Sequence, residues 1–187
     1  MSTMPMTRET LWEVSSRTIV YAAVGAALYA VLGLFNFVLP GTQNVYVRPA
    51  YALVPFFGYF FGPIVGFFTG FVGNVAIDQI TGYGAFTAWN WSLANGFAGL
   101  LAGVIPVVIG RRLAGSNQLL MVAITAALAT VIGFAFVFTD IWVFGTAPEA
   151  ALTGSYVPVV IANVLSSVIL APILAAVWKP IQEQIGR

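Results

Sequence analysis

The sequence contains no cysteine, no histidine and little charge: only 7% of its residues are Asp, Glu, Lys or Arg. Without cysteine there is no disulfide, no thiolate metal site and no thiol nucleophile, and the redox compartment cannot be read. Without histidine there is no Ser-His triad, no HExxH zinc motif and no ordinary neutral-pH proton shuttle. The six acids are scattered rather than paired, and neither GxGxxG nor a GK[ST] phosphate loop occurs. We therefore expect no catalytic residue, no metal and no cofactor, and a chain that is not an enzyme. A net charge of +1 gives no footprint for nucleic acid. A ring of charges or a repeated filter segment, as a channel needs, is missing too. So is any repeat of solenoid or duplicated-half length.

What is present is apolar. Soluble domains carry about 25% charged residues because their surfaces face water. Here 60% of residues are hydrophobic and the mean hydropathy is +0.95, so most of the surface must face lipid. Residues 1–17 are polar and mixed in charge (Arg8, Glu9, Glu13, Arg17), and the apolar stretch 18–39 that follows is longer than a signal-peptide core of roughly 7–15 residues. It reads as a retained helix. Further uncharged stretches run over 50–77, 91–110, 118–139 and 157–178.

The second stretch is too long for one crossing without strong tilt, at about 1.5 Å per helical residue. Gly62-Pro63 sits near its middle, where Pro removes a donor and disfavours helix in the residue before it. Two shorter helices, 49–61 and 63–79, are the alternative. Charge asymmetry favours them. With six helices Arg8, Arg17, Arg111, Arg112, Lys179 and Arg187 share one side, leaving Arg48 opposite. The positive-inside rule makes that side cytoplasmic. The expected fold is therefore an all-α integral membrane protein of six transmembrane helices with both termini cytoplasmic. One membrane domain spans 1–187: a cytoplasmic segment 1–17, a six-helix bundle 18–178 and a cytoplasmic tail 179–187. Outer loops are expected at 40–48, 80–90 and 140–156.

Small residues recur at helical spacing. Ala22, Ala26 and Ala30 make one row, Ala23 and Ala27 a second, Gly58, Gly62, Gly66 and Gly70 a third, and Gly99 and Gly103 a shorter one. Such rows let membrane helices approach closely. Polar groups inside hydrocarbon are costly, so each is a functional suspect. Asn74 and Asp78 lie one turn apart, with Asn36, Asn95 and Asn163 on other spans. The plain reading of each asparagine is an interhelical hydrogen bond, and Asp78 can be solvated or pair with Arg48. The outer loops add Gln43, Asn44, Tyr46 and Arg48, then Tyr83, Phe86, Trp89, Asn90 and Trp91, then Asp140 and Trp142. Aromatics there can be an interfacial belt. Their mixture with amides and one arginine points to a pocket, since small-molecule sites are mostly apolar with a few convergent polar groups.

Three segments together carry a resemblance: YAAVGAALYAVLG (21–33), PAYALVPFFGYFFGPIVGFFTGFVGNVAIDQI (49–80) and SLANGFAGLLAGVIP (92–106). They resemble the S components of energy-coupling factor (ECF) vitamin transporters, nearest the riboflavin-type branch and its uncharacterised relatives. The likeness covers about 20–112, and GYFFGPIVGFFTGFVGN with Asp78 one turn on is its most specific part. The resemblance implies a six-helix substrate-binding subunit of the prokaryotic cytoplasmic membrane with no ATPase of its own. Its implied partners are a transmembrane coupling subunit, two ATPase subunits, a vitamin-like small molecule and the lipid bilayer, with no nucleic acid. The family's AxxxA coupling motif maps onto Ala22, Ala26 and Ala30, or onto Ala23 and Ala27. The family's pocket implicates Gln43, Asn44, Tyr46, Arg48, Asp78, Trp89, Asn90, Trp91, Asn95 and Asn163, and Asn74 joins the candidate site as the polar group one turn from Asp78. Riboflavin is the first expected ligand and cobalamin the second. The competing readings are a structural or assembly membrane protein and a small stand-alone facilitator.

Overall fold

The computed structural model describes residues 11–42, 45–114 and 117–184, with backbone alone over 109–114. Helix α1 (Ser16–Leu32) starts where Ser15 and Thr18 cap each other: the Thr18 amide donates to Ser15 Oγ at 3.3 Å and the Ser15 amide to Thr18 Oγ1 at 3.2 Å. Two short antiparallel strands follow, β1 (Phe37–Val38) and β2 (Tyr46–Val47), pairing Phe37 with Val47 and Val38 with Tyr46. The all-α expectation is therefore corrected at the connection after α1, where the chain satisfies its backbone across a loop instead of along a helix.

A single 3₁₀ turn (Pro49–Ala52) leads into α2 (Leu53–Phe61), and α3 (Pro63–Ile80) begins two residues after α2 ends. Between them Gly62 takes φ +101°, a conformation that costs a side-chain-bearing residue dearly, and Pro63 opens α3 where a missing amide hydrogen costs nothing. The break expected at Gly62-Pro63 is thus present. Helix α4 spans Trp89–Ala114, and Asn117 caps α5 (Gln118–Gly133) by accepting from the Leu120 amide at 3.1 Å.

The expected third outer loop is mostly helical. A 3₁₀ segment (Phe134–Thr139) and α6 (Asp140–Val143) prolong α5, while α7 (Pro148–Ala150) and a π turn (Ala151–Tyr156) prolong α8 (Val157–Gln184) backwards. Only 144–147 are non-helical. The expectation took the loop as whatever lies between the uncharged apolar stretches 118–139 and 157–178. Asp140 and Glu149 instead stand within helical segments, and the proline at 148 opens a first helical turn, where it is well tolerated.

Among the described residues four segments are long and apolar enough to cross a membrane: Pro63–Ile80, Trp89–Val108, Gln118–Val143 and Pro148–Gln184. Ser16–Leu32 and Pro49–Phe61 are shorter apolar helices. Helix α3 lies against α1 on one side and α4 on the other, α4 packs on α5 and α5 on α8. The α3–α4 seam is backbone to backbone: a Cβ on Gly66 would strike the Gly99 carbonyl, and one on Gly70 the Asn95 carbonyl. Outside, the pattern of a soluble protein is inverted. Ile161, Leu165, Ile169, Ile173 and Val177 form an exposed apolar row along α8, and Val20, Val24 and Leu28 another on α1. Asn74, Asn90, Ser92 and Asn163 are meanwhile buried. An apolar exterior around a polar interior is the arrangement lipid demands.

Candidate functional site

At the end of the bundle where α1 and α3 finish and α4 begins, a cavity of about 320 Å³ opens between the helices. That is within the roughly 300–1,000 Å³ of small-molecule sites. Its walls are built around three charged side chains and a row of buried amides.

Arg48 enters from the stretch between β2 and the 3₁₀ turn. Its Nη1 donates to Asn74 Oδ1 at 2.7 Å, and its Nη2 stands 3.7 Å from Asp78 Oδ1. Asn74 is the hub, since its Nδ2 also donates to Asp78 Oδ2 at 2.9 Å and to Ser92 Oγ at 3.0 Å. The i, i+4 spacing of Asn74 and Asp78 puts both on one face of α3, so one arginine can engage both. Both α3 residues are nearly inaccessible, and a charge pair with neutral donors around it is the form in which such burial is tolerated. The Arg48 guanidinium also lies 5.3 Å from the Tyr46 ring centre, and its Nε has no partner among the described residues.

On the α4 side, Tyr29 donates from its hydroxyl to Asn95 Oδ1 at 3.0 Å, and Asn95 Nδ2 donates to the Trp91 carbonyl at 2.9 Å. Trp91 Nε1 donates to Asp140 Oδ2 at 2.9 Å, and Asn90 Nδ2 donates to Asp140 Oδ1 at 2.6 Å and to Thr139 Oγ1 at 2.9 Å. Asp140 thus ties the start of α4 to the end of the α5 segment. The last wall comes from the π turn and α8, where Ser155, Val159 and Asn163 all line the cavity. They stand at i, i+4 and i+8, one helical stripe, and π turns are frequent at functional sites. Asn163 is 5% exposed and Ser155 2%, and neither side chain has a hydrogen-bond partner among the described residues. In an apolar bundle that is a cost without return unless a ligand or water supplies the partner.

Of the residues singled out from sequence, Tyr46, Arg48, Asn74, Asp78, Tyr83, Trp91, Asn95, Asp140 and Asn163 line the cavity. Asn90 does not: it is fully buried behind the wall, holding Asp140. Trp89 is outside the lining, and Trp142 is 78% exposed, so Trp91 is the one tryptophan among the lining residues. Gln43 and Asn44 lie outside the described residues. Asn36 lines the rim while donating to the Gly33 and Leu34 carbonyls at 2.9 and 3.1 Å, closing the end of α1. Sequence reasoning left Tyr29, Phe134 and Ser155 out of the site, and named Asp140 only as the opening of the third outer loop. Tyr29 was legible as three residues beyond Ala26 on the same helical face. Ser155 would have followed from starting the last helix two residues earlier.

The two alanine rows part company. Ala26 and Ala30 are buried with Ala22 partly so, facing α3, where Gly73 lies against Tyr29 and the Ala26 carbonyl. Ala23 and Ala27 are exposed.

Comparison with known proteins agrees with this architecture. A family model described as ECF-type riboflavin transporter, S component, matches residues 13–180. A UPF0397 protein of Aliivibrio salmonicida is 35% identical over 124 residues, covering 64% of this chain and 67% of that protein. UPF0397 proteins of Aliivibrio fischeri and Vibrio atlanticus are 37% and 39% identical over 99 residues, so the match spans about half of this chain and of each relative. No solved structure matches the chain. With a family model covering nearly all the described helices, a multi-pass helical architecture and a polar cavity at one end, the chain belongs to the ECF-type riboflavin transporter S component family.

Proposed function

We propose that this chain captures a flat, polar-edged, vitamin-sized heterocycle from outside a prokaryotic cell in the cavity at the α1–α3–α4 end. It hands that ligand to partner subunits, a transmembrane coupling subunit and two ATPases, that drive its uptake. The observation that carries the reading is the pair of buried polar side chains without protein partners, Asn163 and Ser155, on one stripe facing the cavity. A purely structural membrane protein would satisfy such groups internally. The aromatic lining of Tyr46, Trp91, Phe134 and Phe144 can stack on a planar ring while the amides meet its edge. Riboflavin is the first ligand to test, and the cavity volume favours it over the far bulkier cobalamin.

Mass spectrometry of the detergent-purified subunit should recover a tightly held heterocyclic compound. Added riboflavin should quench tryptophan fluorescence through Trp91. A subunit that carries no ligand and responds to none is a structural protein instead.

In this reading the six apolar helices α1, α2, α3, α4, the α5 segment and the α8 segment each cross the bilayer, with both termini cytoplasmic. The arginines of residues 111 and 112 then lie on the side of the termini. Reporters at Gly84 and ahead of Leu11 should therefore report opposite sides, because three spans separate them, and the same side for both would return the five-helix alternative, which has two. The exposed Ala23/Ala27 row is the face left for the coupling subunit, because Ala26 and Ala30 are already used inside the bundle.

A further inference from the structure

The charges around the cavity do not balance. Among the described lining residues only Arg48, Asp78 and Asp140 are ionisable to a full charge at neutral pH. Arg48 is engaged by Asp78 and Asn74. Asp140 has no such partner: no cation among the described residues lies within ion-pair distance of it, and it is 6% exposed. Its oxygens accept from Asn90 and Trp91, which are neutral donors. These orient the carboxylate and satisfy one lone pair on each oxygen, but leave its charge uncompensated and about two acceptor positions open. In a poorly solvated cavity that charge acts on whatever enters. The side chains of Trp91, Phe134 and Phe144 line the same space, and their ring faces favour positive over negative charge.

We propose that Asp140 is the charge selector of the ligand site. It accepts a hydrogen bond from an N–H or cationic group of the ligand, and it excludes ligands that carry a net negative charge. Phosphorylated forms of an otherwise acceptable heterocycle are the first class turned away. This rests on the capture reading above and adds the substrate's charge class to it. Arg48 does not rescue an anion, because binding one would strip the arginine from Asp78 and leave a second buried carboxylate unpaired. Exclusion by an unfavourable charge is how a site separates ligands that share the rest of their surface.

Riboflavin and its 5′-phosphate share one ring system and differ by one phosphate, so they isolate the effect. Both are titrated against the full chain in nanodiscs of uncharged lipid. The phosphate should bind at least roughly tenfold more weakly to the unaltered protein, and Asp140→Asn should bring the two within about threefold, the size expected when one like charge is removed from a site. A merely structural role for Asp140 would weaken both ligands together and leave their ratio unmoved, which overturns the proposal. Equal binding of both by the unaltered protein overturns it as well. Should Asp140→Asn fail to fold, the unaltered protein is titrated with the 5′-amino analogue of riboflavin. This analogue carries a positive charge and must bind at least as tightly as the neutral parent, and weaker binding overturns the proposal. If neither flavin binds but mass spectrometry recovers another ligand, a net negative charge on it overturns the selector and a neutral or positive one supports it. Absence of any saturable ligand removes the capture reading itself.

Discussion

In the first half of α3, Gly66 and Gly70 remove side chains so that the backbone can lie directly on α4. In the second half of the same helix, Asn74 and Asp78 put polar groups where the seam would otherwise continue, and hold Arg48 and Ser92 by hydrogen bonds. Both halves face α4 and both are buried, yet they gain stability differently. The glycine half gains dispersion contacts that need no partner of particular chemistry, and this suits lipid, where no hydrophobic drive pushes helices together. The polar half gains from directed bonds but carries groups that are expensive to leave unpaired. A protein built only to sit in the bilayer would have continued the first solution. The switch after Gly70 therefore separates the part that holds the bundle from the part that meets a ligand.

The contrast is broken most violently at the seam. Gly66→Leu drives a side chain into the Gly99 carbonyl, where neither partner has a flexible end to yield. The expected cost exceeds about 4 kcal/mol, the range of the most severe single substitutions. The measurement is recovery of monodisperse protein from detergent, with none expected. A variant that folds and melts like the parent would mean that the seam is not what holds α3 to α4.

A smaller effect sharpens the polar half by splitting two asparagines. Asn95 has a protein partner at each end, the Tyr29 hydroxyl and the Trp91 carbonyl. Asn163 has none among the described residues. Asn95→Ala should thus lower thermal stability and affinity together, because it strands the Tyr29 hydroxyl. Asn163→Ala should weaken ligand binding by about 1–3 kcal/mol while leaving the melting temperature where it was. Titration and thermal unfolding of both variants in the same detergent decide it. A loss of stability without loss of affinity at Asn163 would make it another helix tie.

How far the sequence carried follows from the same division. Helix placement, the Gly62-Pro63 break and the glycine seam were legible because hydropathy, proline and small-residue spacing act locally along one helix. The Asn74–Asp78 pair was legible for the same reason. Ser155 was hidden by a misplaced boundary, because helix placement followed the uncharged stretches 118–139 and 157–178 while Asp140 and Glu149 stand within helical segments that continue them. Asn90 and Trp89 were over-read: position near the membrane edge says nothing about which way a side chain turns. The two alanine rows could not be separated from sequence at all, since both have the same composition and spacing and only the packing of α3 chooses between them.

That choice yields the smallest effect on the isolated subunit. Ala26 backs onto Gly73 and is buried, so a bulky residue there must disturb the bundle. Ala27 is exposed on the neighbouring face of α1. Ala27→Trp should leave folding, melting temperature and ligand affinity of the purified subunit unchanged. It should nonetheless abolish uptake in cells expressing the partner subunits, because a flat small-residue face lets another helix approach within a distance a tryptophan prevents. Binding by the purified variant and accumulation of labelled ligand by cells are the two measurements, and their divergence is the signature. Uptake at the parental rate would show that the exposed alanine row faces only lipid. The coupling subunit would then have to dock elsewhere.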